Sequence, residues 1–262
     1  MTSDDWLPAA ETAARAAGCR MRDARVEGYG VRRKEDGEIV TDVDLACERE
    51  ILEILRKRFP QDAILSEEAG RIEGSSSYLW IVDPIDGTSN FVRGLPASGV
   101  SIARVWADTV VAAVVHNPWT QELFAAERGA GACLNGERIR VATTDGLAAA
   151  TCAFGVCDGF WGDERTRAAL ASLGRAARDL RLFNAAALDL ASVAAGRLDA
   201  FWELVCKPWD YAAGMLLVKE AGGRVTDIEG RPLALNTSTI LASNGSIHDE
   251  LRGILEGIGP GW

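Results

Sequence analysis

The chain has 262 residues, of which 48% are apolar and 25% charged, an ordinary globular balance that argues against disorder and allows one large domain or two fused ones. Its 28 basic and 38 acidic residues give a formal charge of −10, which disfavours gripping a phosphate backbone, and its longest aliphatic run, Val110 to Val115, falls far short of the roughly 20 residues of a membrane span. The acidic start, Met1-Thr2-Ser3-Asp4-Asp5, lacks the basic and apolar regions of a signal peptide, so a cytoplasmic protein with neither a nucleic-acid nor a membrane partner is expected.

Ser3-Asp4-Asp5 can cap a first helix in which Leu7, Ala10, Ala14, Ala17 and Met21 recur at helical spacing. Gly28, Gly30 and Gly37 then mark a polar loop or hairpin. Thr41-Asp42-Val43-Asp44 fits the S/T-x-x-D/E capping box ahead of a second helix, with Leu45, Ile51, Ile54 and Leu55 as its stripe and Pro60 as its stop. From Tyr78 the pattern turns to strands. Tyr78 to Val82 ends at Asp83-Pro84, followed by Val100 to Val105, Val110 to His116, Leu123 to Ala126 and Ile139 to Val141, with turns at Asn117-Pro118 and Asn135-Gly136. This spacing predicts a largely antiparallel sheet. The last third alternates helices near 164–177, 184–195, 210–221 and 246–257 with strands at Ala200 to Val205, Arg224 to Asp227 and Ile240 to Ser243. There is no internal repeat and no linker, and two intimately packed halves, 1–140 and 141–262, are expected.

Six cysteines, at 19, 47, 133, 152, 157 and 206, form no CxxC pair, and the two histidines, His116 and His248, lie far apart. Zinc ligation and a disulfide framework are both poor readings, so the cysteines are expected as buried thiols and any metal site as one built from oxygen.

Acids recur at element ends in four segments: Thr41-Asp42-Val43-Asp44, Leu65-Ser66-Glu67-Glu68, Asp83-Pro84-Ile85-Asp86-Gly87-Thr88 and Pro208-Trp209-Asp210. Hard divalent cations take such carboxylates together with backbone carbonyls. Asp86-Gly87-Thr88-Ser89-Asn90 reads as the opening of a helix, whose free amides suit a phosphate. Taken singly, each segment has a plainer reading: a helix cap for Thr41 and Asp44, solvated loop charge for Glu67-Glu68, an N-cap for Asp210 and a turn for Asp86-Gly87.

Taken together, the segments resemble a known family. Ile81-Val82-Asp83-Pro84-Ile85-Asp86-Gly87-Thr88-Ser89-Asn90-Phe91 resembles the D-P-[IL]-D-G-T-x-N-F signature of the inositol monophosphatase family. Lys207-Pro208-Trp209-Asp210-Tyr211-Ala212-Ala213-Gly214, followed by Glu220-Ala221-Gly222-Gly223, is similar to its C-terminal signature, and the other two acidic segments fall in its order and spacing. The resemblance implies a mixed α/β fold, a layered α-β-α-β-α sandwich, commonly as a homodimer. It further implies two or three Mg²⁺ per site, lithium inhibition, and metal ligands at Asp83, Glu67, the Ile85 carbonyl, Asp86 and Asp210. Asp83 would bridge two ions, with a weakly held third near Glu67, which places Glu67 in the catalytic set. Thr88 and Asp44 would orient and deprotonate the attacking water, the Gly87 and Thr88 amides would hold the phosphate, and no phospho-enzyme is formed.

The same resemblance points to the substrate pocket. Glu203, seven residues before Asp210, would meet substrate hydroxyls, alongside Asp86. Asn184-Ala185-Ala186-Ala187-Leu188 aligns with the usual G-S-A-A-L, so Asn184 and Ala186 would line the pocket, with Asn184-Ala185 replacing Gly-Ser. Phe154-Gly155-Val156-Cys157 stands where a pocket-lining loop belongs, and Arg93 either approaches an anion or is solvated. The expected activity is hydrolysis of inositol monophosphate or a similar polyol or sugar phosphate. The same chemistry on a 3′-phosphonucleotide, histidinol phosphate, fructose 1,6-bisphosphate or a biosynthetic intermediate stays open, as does a non-catalytic metal-binding homologue.

Overall fold

The small side chains of the first helix set how the layers stack. In the computed structural model, which describes residues 6–34, 37–156 and 164–256, α1 (Trp6–Glu27) buries Ala10, Ala13, Ala14, Ala17 and Met21 against Val43, Cys47, Ile51 and Leu55 of α2 (Asp42–Arg58). The Ser3-Asp4-Asp5 cap and Cys157 lie outside the described residues. Between the two helices the glycine-marked stretch forms a hairpin, β1 (Val31–Arg33) with β2 (Ile39–Thr41).

The helix pair covers one face of an eight-stranded sheet. Its strands are β3 (Ala63–Ser66), β4 (Gly70–Ile72), β5 (Tyr78–Asp86), β6 (Gly99–Trp106), β7 (Thr109–Asn117), β8 (Glu122–Glu127), β9 (Gly131–Leu134) and β10 (Glu137–Arg138), in the order β10-β9-β8-β7-β6-β5-β3-β4. All neighbours are antiparallel except β3 and β5. Alternate residues serve the two faces. Trp80, Val82, Ile102, Val114, Leu123 and Ala125 face α1 and α2, whereas Ile81, Ala103, Val105, Val115, Phe124 and Ala126 join a second core. Both faces are covered, which is why these strands read as continuous apolar runs rather than as an alternation.

That second core holds α5 (Ala186–Ala194) and α6 (Pro208–Glu220). From Tyr211 to Val218 every residue of α6 is buried, as a helix between two sheets requires. On its far side lies a five-stranded sheet, β12-β11-β13-β15-β14, made of β11 (Thr151–Phe154), β12 (Asp179–Arg181), β13 (Ala200–Glu203), β14 (Arg224–Thr226) and β15 (Ile240–Ser243). Its outer face packs Cys152, Phe154, Trp202 and Leu241 on α4 (Glu164–Ala176) and α7 (His248–Leu255). The layers therefore run α-β-α-β-α, as the resemblance implied. The 140/141 division falls between β10 and β11, and α5 and α6 fill the space between the two sheets. None of the described helices is long and apolar enough to cross a membrane.

The structure corrects several sequence expectations. The strand from Tyr78 does not end at Asp83-Pro84. It runs on to Asp86 through a bulge between the Asp83–Ser101 and Asp86–Gly99 pairs, and the bulge accommodates Pro84, which has no N–H for a ladder bond. Ile139 to Val141 is not a strand, because β10 ends at Arg138. Strands β3, β4, β9, β11 and β12 are too short or too mixed to read from periodicity. In the second sheet β12, β11 and β13 are parallel. Cys19 is exposed and Cys133 half-buried, while Cys47, Cys152 and Cys206 are buried as expected.

Candidate active site

The acidic segments converge because they occupy element ends that face one another. Asp44 and Asp210 are the third residues of α2 and α6, Thr88 opens α3 (Thr88–Arg93), Glu67 follows β3, and Asp83 and Asp86 lie at the end of β5. The N-terminal ends of these helices bring partial positive charge to a place crowded with carboxylates.

Local hydrogen bonds hold each acid in place. Thr41 and Asp44 form the reciprocal capping box, with Asp44 Oδ2 accepting from the Thr41 amide at 2.7 Å and from its hydroxyl at 2.5 Å. This leaves Asp44 Oδ1 for Thr88, whose Oγ1 lies 3.0 Å away and also 3.0 Å from the Ile85 carbonyl oxygen. The plain reading of Asp44 as a cap is therefore correct but incomplete, since one oxygen caps and the other meets Thr88. Asp83 Oδ1 accepts from the Ile85 amide at 3.0 Å, across the bulge. Asp86 Oδ2 accepts from the Leu188 amide at 3.1 Å, so it caps α5, whose own N-cap residue, Ala185, has no side chain able to do so. Asp210 Oδ2 accepts from the Lys207 amide at 2.5 Å. Gly87 has φ +79°, the left-handed conformation that turns β5 into α3 and places the Gly87 and Thr88 amides at the start of that helix.

Burial and like charge act together here. Burial first, then the charges of Glu67, Asp86, Asp210 and Asp44, push the Asp83 carboxyl well above the usual range. Burial raises Asp86 to about 7 despite the α5 amides, and Asp210 to about 8 despite the Lys207 amide. Glu67 rises to about 7, again through burial, although Lys34 opposes the shift. Glu203 is raised by burial and by Asp210, Asp86 and Asp189, and its Oε2 is buried with no hydrogen-bond partner among the described residues. Hard oxygen donors short of positive charge suit a divalent cation. Among the described residues no three acid, histidine or cysteine side chains already close round one point, so binding a cation would draw the carboxylates inward.

Of the pocket residues, Ala186 opens α5 beneath Asp86 and Asn184 precedes it, while Arg93 is exposed. Three neighbours were missed in the sequence. Glu48, one turn beyond Asp44 on α2, accepts from the Glu68 and Ala69 amides at 3.2 and 2.9 Å and from the Ser66 hydroxyl, fixing the turn that carries Glu67. The i, i+4 spacing to Asp44 was the available signal. Lys34 lies 3.1 Å from Glu67 and 2.6 Å from Glu68, a pairing from the hairpin to the turn after β3 with no local signature. Asp189 is buried in α5 with Oδ2 unpartnered among the described residues, and an acid inside an apolar helical run could have been noticed.

Comparison with known proteins identifies the family. Residues 3–258 match the model of the inositol monophosphatase family. An inositol-1-monophosphatase of Synechocystis is 39% identical over 260 residues, spanning 98% of this chain and 90% of that one. The Nus factor SuhB of Pseudomonas aeruginosa is 44% identical over 229 residues, 84% of this chain and 83% of its own. The crystal structure of the extragenic suppressor protein SuhB of Bartonella henselae superposes with a TM-score of 0.91 at 39% identity, covering 96% of this chain and 98% of that one. The chain belongs to the inositol monophosphatase family and is a phosphatase of its α-β-α-β-α fold.

Proposed function

We propose that this phosphatase is a Mg²⁺-dependent phosphomonoesterase acting on inositol monophosphate or a similar compact polyol or sugar phosphate. The observation that carries the reading is the Asp44–Thr88 hydrogen bond set beside acids held above the usual carboxylate range by burial and then by one another's charge. Asp83, Glu67, the Ile85 carbonyl, Asp86 and Asp210 would hold two or three cations. A divalent cation held there supplies a Lewis acid that makes water a stronger nucleophile and offsets charge on the phosphoryl oxygens.

The chain's own groups supply the rest. Thr88 orients the water and passes its proton toward Asp44, whose Oδ1 is the oxygen left free by the capping box. The Gly87 and Thr88 amides hold the phosphate in line. The unpartnered Glu203 oxygen accepts from a hydroxyl of the alcohol, and Asp86, Asn184 and Ala186 form the neighbouring wall. Water attacks phosphorus, and the bond from phosphorus to the ester oxygen breaks. That oxygen takes a proton from solvent water to leave as the alcohol, Asp44 returns its proton to solvent, and inorganic phosphate is released.

The test is phosphate release with Mg²⁺ across myo-inositol 1-phosphate, glucose 1-phosphate, fructose 1,6-bisphosphate, histidinol phosphate, 2′- and 3′-phosphonucleotides, AMP and NADP⁺. Preference for a polyol or sugar ester, lost with EDTA, supports the reading. Preference for a nucleotide or histidinol phosphate keeps the chemistry and moves the substrate, and no turnover at all leaves a non-catalytic homologue. Lithium titration in the same assay checks the expected inhibition.

Two halves, 1–140 and 141–262, meeting at this site, and a homodimeric, cytoplasmic protein complete the proposal. Exposed Leu95, Leu182 and Phe183 favour the dimer, because Asn90 bonds to the backbone of both Leu95 and Phe183 and so brings them close. Light scattering measures that state directly. The expectation of no nucleic-acid partner rests on the charge of −10, and filter binding to RNA checks it.

A further inference from the structure

Asn184 stands where the resembling segment carries glycine, and its backbone shows why an asparagine is accepted. Its φ of +54° is left-handed, a conformation that asparagine tolerates better than most side chains. The turn is kept and a carboxamide is added. Its Oδ1 accepts from the Val156 amide at 3.2 Å, tying the exit of β11 to the entry of α5. On the other side Asn90 of α3 donates to the Phe183 carbonyl at 2.6 Å and to that of Ala97 at 2.8 Å. One run of hydrogen bonds thus links the helix that begins with Thr88 to the segment after β11.

That segment covers Glu203. The Gly155 amide donates to the Trp202 carbonyl at 3.0 Å, and a Cβ at Gly155 would come within 2.5 Å of the Glu203 carboxylate. Bare backbone is therefore pressed against an acid whose Oε2 has no hydrogen-bond partner among the described residues. A buried acceptor without a donor is costly unless a ligand supplies one.

We propose that Asn184 is a specificity-determining positioning residue. Through its bond to Val156 it holds Gly155-Val156 against Glu203 and shapes the alcohol side of the pocket for a compact, hydroxyl-bearing leaving group. The inference rests on the phosphomonoesterase reading above. Asn184→Gly keeps the left-handed backbone and removes the tether, and Asn184→Asp keeps both the backbone and the acceptor oxygen.

The experiment compares the best polyol or sugar phosphate of the panel with p-nitrophenyl phosphate, whose alcohol carries no further hydroxyl, and measures hydrogen exchange at the Val156 amide. In Asn184→Gly the kcat/KM preference for the polyol ester falls about three- to tenfold, chiefly through KM, and Val156 exchanges faster. In Asn184→Asp the preference stays near that of the unaltered protein, because added charge acts on both esters alike. Equal loss on both esters, or an unchanged preference, overturns the specificity role while the phosphatase reading stands. Unchanged exchange at Val156 overturns the tether, whatever the kinetics. An unaltered protein that hydrolyses no ester overturns the phosphomonoesterase reading and the specificity role with it, and the exchange rate still decides the tether.

Discussion

Two regions of this molecule bury charge in opposite ways. Under the first sheet Arg104 is enclosed by the rings of Tyr78, Phe59, Trp6 and Trp80, with its guanidinium carbon 3.8–5.3 Å from their centroids. It is paired with Asp62 at 2.8 and 3.2 Å, and Asp62 also accepts from Trp80 Nε1 and from the Ser76 hydroxyl. Every charge there has its partner, and the cluster serves the fold. At the other end of β5, acids face acids. Among the described residues Lys34 pairs with Glu67 and Glu68, and it bonds to neither Asp83, Asp86 nor Asp210. The first region spends burial on stability, and the second accepts repulsion that a cation would relieve.

Asp83→Asn should break this contrast most strongly. Turnover with Mg²⁺ should fall at least about 10³-fold, since the proposed bridging carboxylate is lost, while circular dichroism stays unchanged. The EDTA-treated variant should also unfold at higher temperature than the unaltered protein, because one repelled acid has gone. Asp62→Ala is the converse. Leaving Arg104 buried without its carboxylate should lower stability by about 3–5 kcal/mol in denaturant titration. At Thr88→Ala, kcat should drop about 10²-fold with the Mg²⁺ dependence unchanged, which steady-state assays at several Mg²⁺ concentrations would separate.

The smallest effect is a pH dependence. Glu67, Asp86 and Asp210, at about 7, 7 and 8, bind protons more tightly when folded than in the unfolded chain. The folded protein then holds more protons, so the stability of the EDTA-treated protein falls as pH rises from the ordinary carboxylate range through about 8. Burial lowers His116 and His248, which acts in the opposite direction, but that effect is complete a little above the ordinary imidazole value of 6.5. Thermal unfolding between pH 7 and 8.5 isolates the acids, and Mg²⁺ should stabilise more at the upper end. A flat profile would show that the acids are not held against one another as described.

Much of the site was legible because its residues sit in local motifs. The capping box at Thr41 and Asp44 is a hydrogen-bonded unit three residues apart, and the bend at Gly87 needs only its own φ. Other parts were not. Periodicity missed β3, which ends just before Glu67 and runs parallel to β5, because four residues are too few to show a period. Lys34 reaches the site from the hairpin with no local signature, and Glu48 was marked only by its i, i+4 spacing to Asp44 on α2.

The sequence alone determined the capping box at Thr41 and Asp44, the order of the acidic segments and the family they resemble, since each of these is written in neighbouring residues and their order. The tertiary structure alone decided that Asp44 reaches Thr88, that Asp86 caps α5 through Leu188, and that Asn184 ties down Val156. These contacts join residues 28 to 102 positions apart, and the last two bring α5 and the segment leading into it against other elements. The same packing excludes water from the acids, and that exclusion gives their charge its chemical force.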